Sequence, residues 1–230
     1  MIINEEKTIA AVSTAYGEAG IGIVRMSGSE SCSILKKIFR SPDNRVTELK
    51  NRYLHYGNIT DPATGKVIDE VLISFMRAPS TYTKEDICEI YCHGSIVSLR
   101  RILELVLDLG AEPAEPGEFT KRAFLNGRID LVQAEAVIDV IRAKSDKGFD
   151  IAMDQLEGSV SGRINDLREK IIALIAEIIV EIDYPDEDNE AEKKSDMKEN
   201  LNRIKMEIDE LIITAEAGKM IREGIKTVIV

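Results

Sequence analysis

The stretch PGEFTKRAFLNGRIDLVQAEAVIDVIRAK, residues 116–144, decides how this chain is organised, because it joins two regions of unlike pattern. Its spacing predicts a short helix over Phe119–Leu125, ended by an Asn-Gly pair in which both residues tolerate a positive φ. Asp130, with Gln133 three residues later, forms the capping box of a second helix. Arg128 lies between the two predicted helices, where its side chain can reach a neighbouring pocket. On local physics alone, an ordinary helix-turn-helix junction is an equally good interpretation.

Upstream of this junction, strand-like and helix-like patterns alternate. Strands are predicted at Thr8–Ser13, Ile21–Met26, Tyr53–Thr60, Val67–Met76 and Ile87–His93, and helices at Ser29–Phe39 and Ile96–Leu109. Strands and helices mixed in this way predict an α+β domain, which we place at residues 1–117.

Downstream of the junction the pattern is helical almost to the end of the sequence. Apolar residues recur every three or four positions over Phe149–Ile182, which predicts one long helix, and again over Met197–Ala215, which predicts a second. We expect residues 118–222 to form part of an all-α bundle of long helices. The β-branched run Ile225–Val230 predicts the first strand of a third domain, placed at residues 223–230, in which this sequence stops.

Composition and charge narrow the functional classes. The chain has 230 residues, 44% of them hydrophobic and 31% charged, and a formal net charge of -11, which argues against a general nucleic-acid binder. No apolar run approaches the roughly 20 residues that span a bilayer. The three cysteines give no disulfide framework, so we expect a reducing, cytoplasmic location.

Arg25 and Glu89 stand out because each is a charge within an apolar strand pattern. Such a charge is costly unless it is paired, so three interpretations stay open: the two residues pair with each other, they lie at an exposed edge, or they line a ligand pocket. In a pocket, a carboxylate accepts two parallel hydrogen bonds from an amino-pyrimidine edge, and an arginine forks onto a ligand carboxylate. Arg128 would add a third contact. Folate carries both an amino-pyrimidine edge, on its pterin ring, and a glutamate tail, so it fits this set of side chains.

Two other sets of residues suggest chemistry that their context does not favour. Gly17, Gly20 and Gly22 are followed by a predicted strand rather than by the Lys-Ser/Thr pair and helix of a phosphate loop, so a flexible turn is the better interpretation. Cys88 and Cys92 share one face of a predicted strand, and no set of four ligands with zinc spacing accompanies them. We therefore expect core cysteines and no metal site.

Several motifs, in order along the whole chain, resemble the MnmE (TrmE) family of bacterial tRNA modification GTPases. They are TIAAVST, GIGIVRMSG, TYTKEDICEIYCHG, the junction block at 116–145, IDYP and IREGIKTVIV. The resemblance implies an N-terminal domain similar to the folate-binding T-protein of the glycine cleavage system, and a homodimer formed through that domain. It also implies a 5-formyltetrahydrofolate-type cofactor near the dimer interface, with Arg25, Glu89 and Arg128 at the family's folate-contacting positions.

For the full-length protein, the resemblance implies a Ras-like GTPase domain inserted into the helical domain. With the FAD-dependent partner MnmG (GidA), in a heterotetramer, it would add an aminomethyl-type group to carbon 5 of the wobble uridine of tRNA. GTP, potassium and magnesium would act in the inserted domain. Since its phosphate loop and magnesium ligands are absent from this sequence, we expect this chain alone to lack GTPase activity. Two alternatives stay open: a stand-alone folate-dependent one-carbon transferase, and a helical scaffold without a ligand.

Overall fold

The chain divides into two compact units, Met1–Ile129 and Asp130–Val230, which are described separately. The computed structural model describes residues 7–41, 49–183 and 190–223, together with residue 228. The first unit is α+β and the second is helical, so the predicted fold class is confirmed. The structural division follows the short helix of the junction, whereas the boundary predicted after residue 117 precedes it.

The first unit is built on one mixed sheet. Its described strands are β1 (Ile9–Val12), β2 (Ala19–Ser27), β3 (Phe39–Arg40), β4 (Leu54–Thr60), β5 (Val67–Met76), β6 (Ile87–Gly94) and β7 (Glu112–Pro113), in the order β3-β4-β5-β6-β2-β1-β7. Neighbouring strands are antiparallel, except that β1 and β7 are parallel. The five longer strands were predicted. The two-residue strands β3 and β7 were not, because they are too short to show a period of two.

Helices α1 (Ser31–Ile38) and α2 (Ile96–Asp108) supply the apolar side chains that pack against one face of this sheet. The core includes Val24, Met26, Ile34, Leu35, Ile73, Phe75, Cys88, Ile90, Cys92, Leu99 and Ile102. Burial of each large apolar side chain of this kind stabilises the fold by about 1.5–3 kcal/mol relative to leaving it exposed. Because side chains alternate along a strand, the residues between these core positions lie on the opposite face, and Arg25 and Glu89 are among them.

The junction stretch forms the predicted short helix and the predicted capped start of the next one. Helix α3 (Glu118–Leu125) is followed by Gly127 with a φ of 67°, while Asn126 keeps a φ of -82°. The reversal of the chain therefore depends on the glycine rather than on both residues. At Asp130, the side chain accepts a hydrogen bond from the Gln133 backbone N–H, and the Gln133 side chain accepts one from Asp130 N, which confirms the capping box.

The second unit consists of α4 (Leu131–Arg142), α5 (Asp146–Leu156), α6 (Ser159–Asp183) and α7 (Glu190–Glu223). The prediction of one continuous helix from Phe149 to Ile182 is wrong, because the chain breaks between α5 and α6. Gly158 there has a φ of 95°, a left-handed conformation that ends a helix. The apolar spacing continues across the break, and this continuity led to the wrong prediction.

Only some of the regularly spaced apolar residues of the predicted long helices are covered within the second unit. Leu167 and Leu174 of α6 and Ile204 of α7 are buried together. Other apolar side chains of these two helices are exposed, among them Ile171, Ile175, Ile178, Ile179, Leu201, Ile208 and Ile212. No described helix has an apolar stretch long enough to cross a membrane. The strand predicted at 223–230 lies outside the described residues, apart from residues 223 and 228.

Candidate functional site

Arg25 and Glu89 form an ion pair on the sheet face opposite the core. The register of β2 and β6 places them directly across from each other. Glu89 Oε1 accepts a hydrogen bond from Arg25 Nε at 2.7 Å, and Arg25 Nη2 lies 2.7 Å from the same oxygen in the ion pair. Since Glu89 is only 8% exposed, its charge needs such a partner. The interpretation that the two residues pair with each other is therefore confirmed, and a ligand that binds Glu89 must act on this pair.

The second oxygen of the Glu89 carboxylate is also engaged. Tyr91, two residues along the same strand face, donates its hydroxyl hydrogen bond to Glu89 Oε2. Burial, together with the neighbouring Glu89 carboxylate, raises the pKa of Tyr91 to about 12, so the hydroxyl keeps its proton at neutral pH. A carboxylate can accept about four hydrogen bonds, and two are supplied here by Arg25 and Tyr91. Donors from a ligand would share the carboxylate with these internal donors or replace them.

Helix α3 covers the other side of Arg25. The guanidinium carbon lies 5.7 Å from the centroid of the Phe119 ring, within the range of a cation–π contact. The Arg25 side chain nevertheless keeps 30% of its surface exposed. The arginine is thus fixed by Glu89 and Phe119 and still accessible to a ligand.

An open cleft of about 720 Å³ lies next to this pair, within the first unit. It is lined by Arg52, Leu54, Ser74, Met76, Pro79, Ser80, Thr81, Tyr82, Lys84, Tyr91 and Arg128. Glu89 is not part of the lining, but it adjoins two lining residues: Tyr91 is hydrogen-bonded to it, and Ser74 is its partner on β5. The structure therefore brings Arg25 and Glu89 together behind the cleft and places Arg128 on its wall.

The turn between α3 and α4 holds Arg128 at the cleft. The Arg128 guanidinium carbon lies 4.6 Å from the centroid of the Tyr82 ring. Asn126 Nδ2 donates to the carbonyl of Thr83 at 2.6 Å, and Lys84 Nζ donates to the carbonyl of Gly127 at 3.0 Å. The loop that contains Tyr82 is thus joined to the turn by two hydrogen bonds and a cation–π contact.

A largely buried polar network fixes α3 to the same loop. Arg122 Nη1 donates to both carboxylate oxygens of Glu85, at 3.1 and 3.2 Å, and to the carbonyl of Lys7 at 2.9 Å. Its Nε and Nη2 donate to Glu118 Oε1. Ser27 Oγ donates to Glu85 Oε2 at 2.6 Å, which connects the network to β2. The side chains of Arg122, Glu85 and Glu118 are 11%, 17% and 16% exposed, so this is an interior anchor.

Sequence reasoning missed five residues that contribute to this region: Arg52, Tyr82, Lys84, Glu85 and Arg122. Four of them had no local signal, because their roles depend on how loops and helices meet in three dimensions. Arg122 had a weak one, since it follows Glu118 at the i,i+4 spacing of a helical ion pair. Cys88 and Cys92 are core residues, and burial raises the pKa of both thiols. Among the residues that the structure describes, no group of three His, Cys, Asp or Glu side chains could hold a metal ion.

Comparison with known proteins assigns both units. A family model described as "GTP-binding protein TrmE N-terminus" matches residues 8–128, and the "MnmE helical domain" model matches residues 131–227. The chain is similar to the protein named tRNA modification GTPase MnmE from Alkaliphilus oremlandii, with 52% identity over 226 residues, covering 98% of this chain and 49% of that protein. For the MnmE of Thermoanaerobacter pseudethanolicus, the identity is 53% over 224 residues, covering 97% and 49%.

The MnmE of Geobacillus thermodenitrificans is 50% identical over 230 residues, covering 99% of this chain and 50% of that protein. The chain thus spans about half the length of these relatives. The N-terminal model alone matches more than half of the chain, and its limits coincide closely with those of the first compact unit. The chain belongs to the MnmE (TrmE) family of tRNA modification GTPases.

Proposed function

We propose that this chain is the folate-binding and dimerising part of a tRNA modification GTPase. A 5-formyltetrahydrofolate-type cofactor would lie in the cleft of the first unit and contact Arg25, Glu89 and Arg128. The observation that carries this proposal is the buried Glu89 carboxylate beside an open cleft whose charged lining residues, Arg52, Lys84 and Arg128, are all cations. A ligand with hydrogen-bond donors at one end and carboxylates at the other fits this arrangement.

The Glu89 acceptor and the Arg128 cation suit the two ends of the proposed ligand. The amino-pyrimidine edge of a reduced folate carries two parallel N–H donors, and a carboxylate is their natural acceptor. Glu89 already accepts from N–H and O–H donors of Arg25 and Tyr91, so the ligand would exchange one set of donors for another. The Arg128 guanidinium is fixed on the Tyr82 ring at the cleft wall, where it can pair with a carboxylate of the glutamate tail. A cleft of about 720 Å³ is within the usual size range of small-molecule sites.

Calorimetric titration of the chain with 5-formyltetrahydrofolate tests this proposal. We expect saturable binding of one ligand per chain. 4-Aminobenzoyl-glutamate, which has the tail but lacks the pterin, should bind at least tenfold more weakly because it has no donors for Glu89. Absence of folate binding up to millimolar concentration, or equal affinity for the two compounds, would contradict the proposal.

For the complete protein, membership of the family supports a wider proposal. Together with MnmG (GidA) as heterotetramer partner, it would add an aminomethyl-type group to carbon 5 of the wobble uridine of tRNA in the cytoplasm. GTP hydrolysis, with potassium and magnesium, would be carried out by a GTPase domain.

The second unit would belong to a helical domain of which residues 118–222 are one part. The exposed apolar side chains on α6 and α7 support this proposal, because a long helix with an uncovered apolar face normally packs against further helices. The remaining half of the protein would supply those helices.

The homodimer would form through the first unit. Its sheet carries exposed apolar side chains next to the cleft: Leu54 and Tyr56 on β4 are 53% and 54% exposed, and Leu72, the register partner of Tyr56 on β5, is 41% exposed. Leu54 also lines the cleft, so a partner on this patch would lie beside the ligand. An uncovered apolar patch on a sheet face is typical of an interaction surface.

Sedimentation of the chain at micromolar concentration is expected to show a dimer. Leu72→Glu should shift it towards monomer, because the substitution places a charge in the patch that the partner would cover. Val97→Glu is the matched control, since Val97 is 52% exposed on α2, outside this patch, and its substitution should leave the dimer intact. A monomeric parent chain, or equal effects of the two substitutions, would argue against this interface.

A further inference from the structure

The cleft of the first unit has more positive charge than the cofactor's simplest form needs. Its lining includes Arg52, Lys84 and Arg128 and no carboxylate, although the chain as a whole has a formal net charge of -11. A folate with one glutamate carries two tail carboxylates, and Arg128 alone can form a forked contact with one of them. Arg52 and Lys84 therefore remain for the second tail carboxylate and for further negative groups.

Arg52 and Lys84 share a second, independent feature. In the described part of the chain, they are the two non-glycine residues with a positive φ, 59° in each case. This left-handed conformation is disfavoured for long side chains, and residues held in it cluster at ligand sites. Asparagine or glycine would adopt the same backbone more easily. The fold accepts strain at two separate loop positions, and at both of them the side chain is a cation that lines the same cleft.

Local contacts hold both strained positions in place. The Arg52 backbone N–H donates to the carbonyl of Phe75 at 2.7 Å, and the guanidinium donates to the carbonyl of Ser80. Lys84 Nζ donates to the carbonyl of Gly127 at 3.0 Å. Both cations are thus oriented by neutral carbonyls, and no carboxylate in the described part of the chain forms an ion pair with Arg52, Lys84 or Arg128. An anionic ligand would meet positive charges that are already in position.

We propose that this cleft selects folates with a γ-linked polyglutamate tail, and that Arg52 and Lys84 are specificity-determining residues that pair with the carboxylates beyond the first glutamate. The proposal rests on the folate function proposed above. Each added γ-linked glutamate brings one more carboxylate, so the tail supplies the charges that a single glutamate lacks. Phosphates of an RNA strand would also be attracted to these cations, but the nearly buried Glu89 carboxylate and a cleft of about 720 Å³ favour a small molecule that carries both donors and anions.

The test compares 5-formyltetrahydrofolate with its triglutamate form by calorimetry, using the ratio of the two affinities. We expect the parent chain to bind the triglutamate about tenfold more tightly, because its added carboxylates can pair with Arg52 and Lys84 together, whereas a single glutamate has one carboxylate left for both. In Arg52→Asn/Lys84→Asn, the ratio should fall to within about twofold of one. Asparagine tolerates the left-handed backbone, which offsets the loss of the two side-chain hydrogen bonds to Ser80 and Gly127, so this variant should unfold at about the same temperature as the parent chain.

Lys66→Asn is the matched control, since Lys66 is an exposed loop lysine outside the cleft lining, and it should keep the tenfold ratio. If the parent chain binds both folates equally, or if the ratio survives in the double variant, this inference is wrong while the folate site stands. If neither folate binds, both proposals are wrong. Tripolyphosphate is added as a competitor; displacement of the triglutamate at equal concentration would identify a general polyanion site and also overturn the inference.

Discussion

Replacing Glu89 by alanine is expected to weaken binding of 5-formyltetrahydrofolate by at least ~2 kcal/mol, about 30-fold. Without the carboxylate, the amino-pyrimidine edge of the ligand loses an ionised acceptor in a site where Glu89 is 8% exposed and water is largely excluded. Calorimetry on the folded variant measures the effect. Unchanged affinity would remove Glu89 from the site.

Because Glu89 also neutralises Arg25, its loss affects the fold as well as the ligand. Glu89→Gln keeps the size and one acceptor oxygen, so it should retain more stability than Glu89→Ala. It should still weaken folate binding, because a neutral amide accepts more weakly than a carboxylate.

Tyr91→Phe is expected to change folate affinity in the opposite direction. It removes the internal donor to Oε2, so the ligand has one competitor fewer, and folate affinity should be unchanged or tighter. Glu104→Ala, at an exposed ion pair on α2, is the matched control and should change neither property.

Arg122→Met is expected to lower the free energy of unfolding of the first unit by about 3 kcal/mol, because the loss of one partner leaves buried charges uncompensated. Glu85 and Glu118, whose side chains are 17% and 16% exposed, would then be near each other without the guanidinium between them. Folate affinity should also fall, since α3 and the turn that holds Arg128 lose their anchor. Urea denaturation measures the first effect and calorimetry the second.

Two further variants separate the anchor from a general effect of charge. Arg122→Lys keeps the positive charge but not the forked geometry that reaches Glu85, Glu118 and the Lys7 carbonyl together, so its stability should be intermediate. Arg100→Met removes an exposed i,i+4 partner of Glu104 and should cost less than about 0.5 kcal/mol. Equal stability of the Met and parent forms at position 122 would show that the network does not anchor α3.

Two sets of contacts hold the side chains of the candidate site in place beside the cleft. The ion pair of Arg25 and Glu89 supplies an acceptor that is already oriented, and Tyr91 connects it to the cleft wall. The network around Arg122 holds α3, and the loop at Tyr82 holds Arg128. Such prior orientation lowers the entropy that a ligand loses on binding.

Sequence patterns predicted the helices and strands that are long enough for their periodicity to be detected. The bounds of β5 agree with the predicted Val67–Met76, since ten residues with a core-facing alternation give a clear signal. The Asp130–Gln133 capping box was readable because both partners lie within one turn. The break at Gly158 was missed, because the apolar spacing continues through it and a lone glycine is also tolerated inside helices.

The candidate site could be predicted only in part, because its geometry depends on contacts between residues that are distant in the sequence. Arg25 and Glu89 could be recognised separately as charges in apolar strands, but their pairing depends on the register of β2 against β6, which one sequence does not specify. Arg52 and Lys84 lie in loops, and nothing in their local sequence indicates a shared cleft. Non-local geometry therefore accounts for most of what the structure adds.

In the complex that we propose, Glu89 and Arg128 hold opposite ends of one folate molecule. A crystal structure of this chain with 5-formyltetrahydrofolate tests it most directly. We expect the amino edge of the pterin at hydrogen-bond distance, roughly 3 Å, from the Glu89 carboxylate, and a tail carboxylate on the Arg128 guanidinium. A folate bound away from Glu89, with the Arg25 and Tyr91 contacts to that carboxylate unchanged, would contradict the account.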